Sequence, residues 1–472
     1  MLDKRLPAPS RYDSPRYNPQ HAVETAPPVA DRRSLTLARQ TRAQTNHMKK
    51  ILVSLAVVLL AATFYYWGHT DGREGNPTPH LLGRAYAQEE APEPEVSPVN
   101  AAADRDAYFP GTEDLAPDEI RITACGTGMP NARPKQAAAC WLVELGNGDK
   151  FLFDIGSGSA ERIAAQQIPY DFLDKVFISH LHSDHFADLD ALWVGGVVAG
   201  RTKPLRVWGP SGQEPKYGTR HALEHLQEYL TWDVAGRVGQ TDTRGLAIEI
   251  NEFDYTGEND VIYKENGVTI RSFPAIHAVD GPVSYSLEWN GLKFVYGGDT
   301  YPNKWMDQYA KGADVLIHEC LYTPEGWIKF MGFTPETALQ VGTQIHTSPQ
   351  QFGKVMSSIR PRRAIAYHFF NDFNTIGDIA GGIGETYDGP VDYAVDYMVW
   401  NVTKDDIRVR MAVPDHEVWP TRGPNPPIPP DRSAAIPNSE FIMKGGLHFE
   451  DIITEMYDDI NKRYGTNAKP AY

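Results

Sequence analysis

Cysteine is scarce in this chain, with Cys125, Cys140 and Cys320 as the only three among 472 residues. None of them forms a C-x-x-C pair, which excludes a thiolate zinc site, and three are too few for a dense disulfide framework. Cys125 and Cys140 fall on what the sequence predicts to be neighbouring strands. They could form one disulfide in an oxidising compartment or remain two buried thiols, and the sequence leaves that choice open.

Positive charge is also in short supply. Lysine and arginine number 45 against 61 aspartate and glutamate residues, which gives a formal net charge of -16. A general nucleic-acid binder normally presents a basic face. The acidic balance therefore argues against nucleic acid as a partner, although it says nothing about the fold.

The N-terminal part of the chain does not resemble globular sequence. Residues 1–47 are polar and contain proline, which predicts a disordered extension or a wrongly assigned start before Met48. Met48-Lys49-Lys50 precedes a nearly continuous apolar run over residues 51–67. We predict a signal peptide over residues 48–87, or an uncleaved membrane anchor, and therefore a periplasmic or other extracytoplasmic location. Residues 88–117, rich in Ala, Pro and Glu, are predicted to be a linker.

The most informative stretch is an apolar run that leads into four side chains able to bind metal ions. Val176-Phe177-Ile178 is followed by His180, His182, Asp184 and His185, spaced as H-x-H-x-D-H. Imidazole and carboxylate suit zinc, manganese or iron. Alternate residues of an extended segment point the same way, so His180 and His182 can share one ion. Asp184 and His185 follow where the chain turns and can reach a second ion.

The same arrangement of an apolar strand ending in a polar side chain recurs along the chain. Further strands end at His277, at Asp299 after Gly297-Gly298, at His318-Glu319 and at His368. In layered α/β domains the ends of strands meet at one sheet edge, where ligands bind. A single histidine after a strand is usually structural, but five such ends along one chain together predict a site. A hairpin is also predicted at Gly146-Asn147-Gly148.

The C-terminal region, residues 414–472, is predicted to begin as a proline-rich wrap over the surface. Residues 448–464 then show apolar side chains at helical spacing. We expect a helix there that packs on its own core, or else on a partner subunit in a homodimer.

The H-x-H-x-D-H cluster resembles the signature of the metallo-β-lactamase-fold hydrolases. Residues 123–130, residues 201–210, Leu316-Ile317-His318-Glu319 and His346-Thr347-Ser348 resemble stretches of the ribonuclease Z and secreted arylsulfatase branch. The resemblance implies a four-layer αβ/βα sandwich over residues 118–413, with the metals at the sheet edge. It also implies that the chain is an enzyme.

The resemblance implies a role for each residue that matches the family pattern. His180, His182 and His277 would hold one divalent ion, and Asp184, His185 and His368 would hold the second. Asp299 would bridge the two. Asp184 and His346 are the candidate catalytic residues, with His346 acting on the departing oxygen. The ions are expected to be Zn²⁺, with Mn²⁺ or Fe²⁺ as alternatives, and to share the attacking hydroxide.

The segment between Glu319 and His346 is long and aromatic. Tyr322, Trp327 and Phe330 are predicted to contact substrate as a wall or lid over the site, with a loop packed on itself as the alternative. Ribonuclease Z proteins carry a long arm between the third histidine and the bridging aspartate, and here His277 and Asp299 are separated by a short strand pair only.

These features favour an exported or membrane-anchored hydrolase of a small phosphodiester or sulfate ester. A ribonuclease Z-like RNA endonuclease is the alternative. A di-iron redox protein of the same fold would carry Glu in place of His182, and an inactive relative would have lost ligands. His221-Ala222-Leu223-Glu224-His225 matches an inverted zinc-protease motif, but it lies on a predicted amphipathic helix with no third ligand nearby.

Overall fold

A computed structural model describes residues 106–470, in which two sheets lie face to face with helices on their outer sides. The first sheet has nine strands in the spatial order β1-β16-β15-β2-β3-β4-β5-β6-β7. They are β1 Ala107–Tyr108, β2 Ile120–Gly126, β3 Cys140–Leu145, β4 Lys150–Phe153, β5 Lys175–Phe177, β6 Leu205–Pro210, β7 Ile248–Phe253, β15 Met398–Val402 and β16 Ile407–Ala412.

The second sheet has seven strands in the order β14-β13-β12-β11-β10-β9-β8. They are β8 Asp260–Glu265, β9 Val268–Pro274, β10 Val283–Trp289, β11 Leu292–Tyr296, β12 Val315–Glu319, β13 Arg363–Tyr367 and β14 Val391–Tyr393. Strands β11 to β14 are parallel to one another, so their carboxyl ends share one edge.

Twelve α-helices connect or follow the described strands. They are α1 Ser159–Ala164, α2 Ser183–Phe186, α3 Gly196–Val198, α4 Thr219–Tyr229, α5 Thr231–Arg237, α6 Lys304–Tyr309, α7 Pro324–Met331, α8 Pro335–Gln340, α9 Pro349–Ile359, α10 Ile376–Gly384, α11 Glu440–Met443 and α12 Glu450–Tyr464. Short 3₁₀ turns cover Tyr170–Phe172, Pro215–Tyr217, Arg244–Leu246 and Arg432–Ala434, and π-helical turns cover Ala191–Gly195 and Val341–Ile345.

The central strands, such as β3, are buried on both faces because both faces are covered. Along β3, Trp141 and Val143 enter the core between the two sheets, while Cys140 and Leu142 enter the core under the helices of the first sheet. This alternation follows from the two-residue repeat of a strand. It gives the four-layer αβ/βα sandwich that the resemblance implies. Hairpin β3–β4 is antiparallel, as predicted from Gly146-Asn147-Gly148.

The end of the predicted linker belongs to this domain. Strand β1 pairs in parallel with β16, and Tyr108 is buried under the guanidinium group of Arg121, 4.4 Å above its ring. Arg410 makes a buried ion pair of 2.9 Å with Glu113. The linker prediction for residues 88–117 is therefore wrong for their C-terminal end. The overall composition of the segment suggested a linker, but Tyr108 and Glu113 make specific contacts with the domain.

The C-terminal region follows the predicted pattern in part. It wraps the surface without long regular structure until α12, which is the helix predicted from its apolar spacing. Ile452, Met456 and Ile460 of that helix remain between 45% and 61% exposed, and no residue of α12 is buried. The expected packing of this helix on its own core is therefore not found among residues 106–470.

No helix within residues 106–470 is long and apolar enough to cross a membrane. The predicted signal or anchor over residues 48–87, and the extension over residues 1–47, lie outside the described residues. Cys125, Cys140 and Cys320 are all buried and free of disulfide bonds.

Candidate metal centre

The predicted ligands come together where the strands of both sheets end. His180 follows β5 of the first sheet, whereas His277, Asp299 and His368 follow β9, β11 and β13 of the second sheet. His182 is the cap residue of α2, and Asp184 and His185 lie in its first turn. All seven predicted ligands therefore meet at one edge, and they form two groups that share Asp299.

The first group is His180, His182, His277 and Asp299. His182 Nδ1 lies 3.0 Å from His180 Nε2 and 3.1 Å from His277 Nε2. Two nitrogens about 2.0–2.1 Å from one tetrahedral zinc ion are roughly 3.3–3.4 Å apart, so these three nitrogens are spaced as ligands of a common ion would be. His277 Nδ1 donates a hydrogen bond to the carbonyl of Ile345 at 3.3 Å. The lone pair of His277 is therefore on Nε2, where it can bind a metal ion.

The second group is Asp184, His185, His368 and Asp299. His368 Nε2 lies 3.0 Å from Asp184 Oδ2 and 3.2 Å from Asp299 Oδ2, and His185 Nε2 lies 3.2 Å from Asp299 Oδ1. Asp299 Oδ2 is also within 4.0 Å of the Nε2 atoms of His180 and His277. One carboxylate thus contacts both groups, as a bridging ligand must.

Burial and neighbouring side chains keep several of these groups in the protonation states that bind metal ions. It lowers the pKa of His277 to about 3 and the pKa of His180 well below its usual value. Both imidazoles are therefore neutral near pH 7 and offer lone pairs. Burial acts to raise the pKa of Asp299, but the neighbouring imidazoles of His368 and His185 hold it well below its usual value.

The second group is also negative enough to attract a cation. Burial acts to lower the pKa of His185, yet the carboxylates of Asp299, Asp184 and Asp154 raise it well above its usual value. Asp184 Oδ1 is buried and accepts no hydrogen bond from any of the residues 106–470. A buried oxygen of this kind is costly unless a cation meets it. The residues present therefore fit two divalent ions.

Asp154, which the sequence pattern did not single out as a site residue, holds His185 in place. Its Oδ2 accepts hydrogen bonds from His185 Nδ1, the Ser179 hydroxyl and the Tyr296 hydroxyl, each 2.6 Å long. Its Oδ1 accepts from the Ser179 amide at 2.6 Å. The signal available was its position at the end of β4, which places it among the other strand ends.

Two backbone features bring the ligand segments close. A Cβ atom on Gly156 would lie 1.9 Å from the carbonyl oxygen of Asp184, so only glycine lets the chain after Asp154 pass the ligand loop. His368 has a φ of 71°, in the left-handed region. Such conformations cluster at functional sites and cost on the order of 1–3 kcal/mol.

His346 lies beside the first group and is paired with a carboxylate. Its Nδ1 donates to Glu319 Oε2 at 2.8 Å, and its ring centroid is 4.7 Å from that of His277. Glu319 is fully buried, and its Oε1 accepts from the amide of Thr300 at 2.6 Å. Burial acts to lower the pKa of His346, but the Glu319 carboxylate raises it above its usual value.

The aromatic residues predicted to contact substrate are mostly structural. Tyr322 and Trp327, the latter on α7, are 3% and 6% exposed in the core that also holds residues of α9, and Trp327 stacks on Phe333 with ring centroids 5.1 Å apart. The Tyr322 hydroxyl accepts from the amide of Phe370. Substrate contact by these two residues was the wrong interpretation, because the segment folds inward on its own rings. Phe330 is 37% exposed, and its role remains a prediction.

The inverted protease motif lies apart from this centre. His221 and His225 are on α4, and the His225 ring donates to the carbonyl of His221 at 2.8 Å. Neither histidine belongs to a group of three potential metal ligands within residues 106–470.

Comparison with known proteins identifies the family. Residues 149–369 match the Beta-lactamase superfamily domain. The chain is 33% identical to ribonuclease Z of Mycobacterium marinum over 204 residues, 42% of this chain and 70% of the relative. It is 32% identical to ribonuclease Z of Mycolicibacterium gilvum over 206 residues, 42% of this chain and 68% of the relative. A metallo-beta-lactamase fold protein of Bacillus subtilis superposes over 60% of this chain and all of its own, with a TM-score of 0.46 and 18% identity.

These relatives overturn one expectation drawn from composition. The argument against nucleic acid as a partner is wrong, because the similar proteins are named as ribonucleases. The physical reason is that a net charge of -16 sums over the whole chain. A substrate meets only the local surface of the site, where bound cations can neutralise phosphate charge.

Proposed function

The chain belongs to the beta-lactamase superfamily and is a metal-dependent hydrolase of ester bonds, and we propose that the ester it cleaves is a phosphodiester of RNA. The observation that carries this proposal is the pairing of two ligand groups, joined through Asp299, with the His346–Glu319 pair beside them. Sequence identities of 33% and 32% with two ribonuclease Z proteins support RNA as the substrate.

His180, His182, His277 and Asp299 would hold one ion, and Asp184, His185, His368 and Asp299 would hold the other. When bound, two divalent ions supply Lewis acidity that activates water and offsets the growing charge of the phosphate. Nitrogen and carboxylate ligands of this kind suit Zn²⁺, which we propose as the native ion. Asp154 fixes the ring of His185 so that its Nε2 faces Asp184 and Asp299.

His346 would protonate the departing oxygen. Its Nδ1 proton is committed to Glu319, so Nε2 is the nitrogen that can deliver a proton. The raised pKa of His346 favours the protonated form that a general acid needs. Glu319 stabilises the imidazolium and fixes the orientation of the ring.

A smaller ester is the second candidate, because this chain lacks the long arm that ribonuclease Z proteins carry between the third histidine and the bridging aspartate. Only the β10–β11 hairpin separates His277 from Asp299. The cavity beside His180, His182 and His277 measures about 220 Å³, which is enough for one aryl group or one nucleobase. A small phosphodiester or a sulfate ester would fit this space.

The test compares substrates on one metal-loaded sample of the full chain. We expect cleavage of a precursor transfer RNA, and of bis(p-nitrophenyl) phosphate at a lower kcat/KM. Turnover of the aryl phosphodiester or of p-nitrophenyl sulfate with no cleavage of RNA would favour the smaller ester. A folded, metal-replete sample that cleaves none of the three would contradict both candidates. The His368→Ala variant is the control for a contaminating nuclease.

A further inference from the structure

The cavity beside the metal ligands has a second wall that the hydrolytic mechanism does not use. His180, His182 and His277 line one side of it. Lys216 and Tyr217, in the turn between β6 and α4, line another side. A third side is the loop between β9 and β10, which contributes Val279 and Pro282.

The turn that carries Lys216 and Tyr217 is fixed by close packing on Gly212 and by hydrogen bonds of the two residues that begin α4. A Cβ atom on Gly212 would lie 2.6 Å from the backbone and Cβ of Tyr217, so the turn folds tightly on itself. The Thr219 hydroxyl donates to the carbonyl of Pro210 at 2.8 Å. Glu252 accepts from the amide of Arg220 at 2.7 Å. A wall fixed in this way is preorganised for a ligand.

The side chains on this wall are exposed although their backbone is fixed. Tyr217 is 51% exposed, and Val279 on the loop between β9 and β10 is 66% exposed. Lys216 Nζ lies 4.7 Å from the Tyr217 ring centroid and 2.9 Å from Glu214. Exposed ion pairs of that kind contribute little, so a phosphate can compete for the lysine. The cavity therefore combines an exposed ring, a loop that carries Val279, Asp280 and Pro282, and an exposed ammonium group with three of the metal ligands.

We propose that this cavity is a subsite for a flat aromatic group of the substrate next to the scissile phosphate, either a nucleobase carried by its ribose or an aryl ring. This inference rests on the proposed phosphodiesterase function. Tyr217 stacks on that group, Val279 and Pro282 cover its other face, and Lys216 meets a phosphate oxygen. Stacking on an aromatic side chain tolerates any base, because every base has a π face. An aryl ester offers the same chemistry, so the subsite takes a nucleobase or an aryl group.

The first experiment measures binding rather than turnover. Adenosine 5′-monophosphate and inorganic phosphate are titrated by calorimetry into the metal-loaded full chain, its Tyr217→Ala and Tyr217→Phe variants, and a control. Tyr229→Ala is the matched control, because Tyr229 is 78% exposed on α4 and does not line the cavity. Tyr217→Ala should weaken binding of the nucleotide roughly 5- to 150-fold. Tyr217→Phe, which keeps the ring, and Tyr229→Ala should stay within about twofold of the wild type, a window well below the range expected for lost stacking.

Inorganic phosphate separates stacking from damage to the metal centre. Its affinity should be the same in Tyr217→Ala and the wild type, whereas Lys216→Gln should weaken both ligands. The proposal is overturned if the wild type binds the nucleotide no better than phosphate. It is also overturned if Tyr217→Ala leaves nucleotide affinity unchanged, or lowers both affinities equally.

Kinetics then identify which aromatic group is used. A raised KM of Tyr217→Ala for both a short RNA and bis(p-nitrophenyl) phosphate supports the shared chemistry. A rise confined to one of them assigns the subsite to that class. A wild type that binds the nucleotide through Tyr217 but hydrolyses no phosphodiester would contradict the proposed function while leaving the subsite in place.

Discussion

His346 Nδ1 lies 2.8 Å from the buried Glu319 Oε2, and this pair stands next to the metal ligand His277 without belonging to either ligand group around Asp299. Because His346 is outside both groups, we expect its replacement to leave the ions of those groups in place. It therefore separates the two tasks of the centre, holding ions and handling protons.

His346→Ala should lower kcat by roughly 10²–10⁴-fold, the usual contribution of a positioned general acid. Metal content and far-UV circular dichroism should remain those of the wild type. The loss should shrink for substrates with acidic leaving groups, which depart without a proton. Rates measured across a series of aryl phosphodiesters check this. An emptied metal site, or an unchanged rate on the poorest leaving group, would show that His346 has another role.

Asp154→Asn should weaken metal binding, although Asp154 is not itself in either ligand group. The amide keeps the size of the side chain but cannot accept all four hydrogen bonds from Ser179, His185 and Tyr296. Loss of such a supporting residue typically costs 10- to 100-fold in metal affinity. Competition with a chromophoric chelator measures it. Wild-type affinity in the variant would contradict the orienting role.

Removal of residues 446–472 should leave the catalytic domain stable. Helix α12 has no buried residue and exposes Ile452, Met456 and Ile460, so its loss removes no core contact. The midpoint of thermal unfolding should shift by less than about 2 °C, since roughly 1 kcal/mol corresponds to 2–4 °C in a domain of this size. A much larger drop would show that the helix packs on the domain.

The location of the domain is a separate proposal that rests on Met48-Lys49-Lys50 and the apolar run over residues 51–67. A phosphatase reporter that folds only outside the cytoplasm, fused after residue 90, should be active in cells. A fusion that begins at residue 68 should be inactive and serves as the control. Equal activity of the two fusions, or a cytoplasmic full-length product, would contradict export.

The grouping of the ligands was predictable because an apolar strand leads into each ligand segment: β5 precedes His180 to His185, and His277, Asp299 and His368 follow β9, β11 and β13. The pattern around β5, β9, β11 and β13 is local, and the edge of a sheet brings such ends together. Asp154 escaped prediction because its function depends on His185, which is 31 residues away, and on Tyr296 from the other sheet. The sequence shows that Asp154 ends a strand but not which groups will donate to it.

For the aromatic segment after Glu319, the sequence suggested substrate contact by residues that the structure places in the core. Tyr322 and Trp327 are as consistent with a lid as with a core, since periodicity does not tell which surface a short helix will meet. In the structure Trp327 is a buried residue of α7 that contacts Tyr322 and Phe333, and Tyr322 and Trp327 belong to the same core cluster. Lys216 and Tyr217, which line the same cavity as three of the ligands, lie in a 3₁₀ turn with no periodic signal.

The central claim is that one carboxylate joins two metal sites, and elemental analysis of the metal-replete full chain tests it most directly. The wild type should hold about two ions per chain, as the two-metal mechanism requires. His277→Ala and His368→Ala should each lose mainly one ion, whereas Asp299→Ala should lose more metal than either because Asp299 contacts both groups. A folded wild type with one ion or none, or an Asp299→Ala variant that keeps both, would contradict the account.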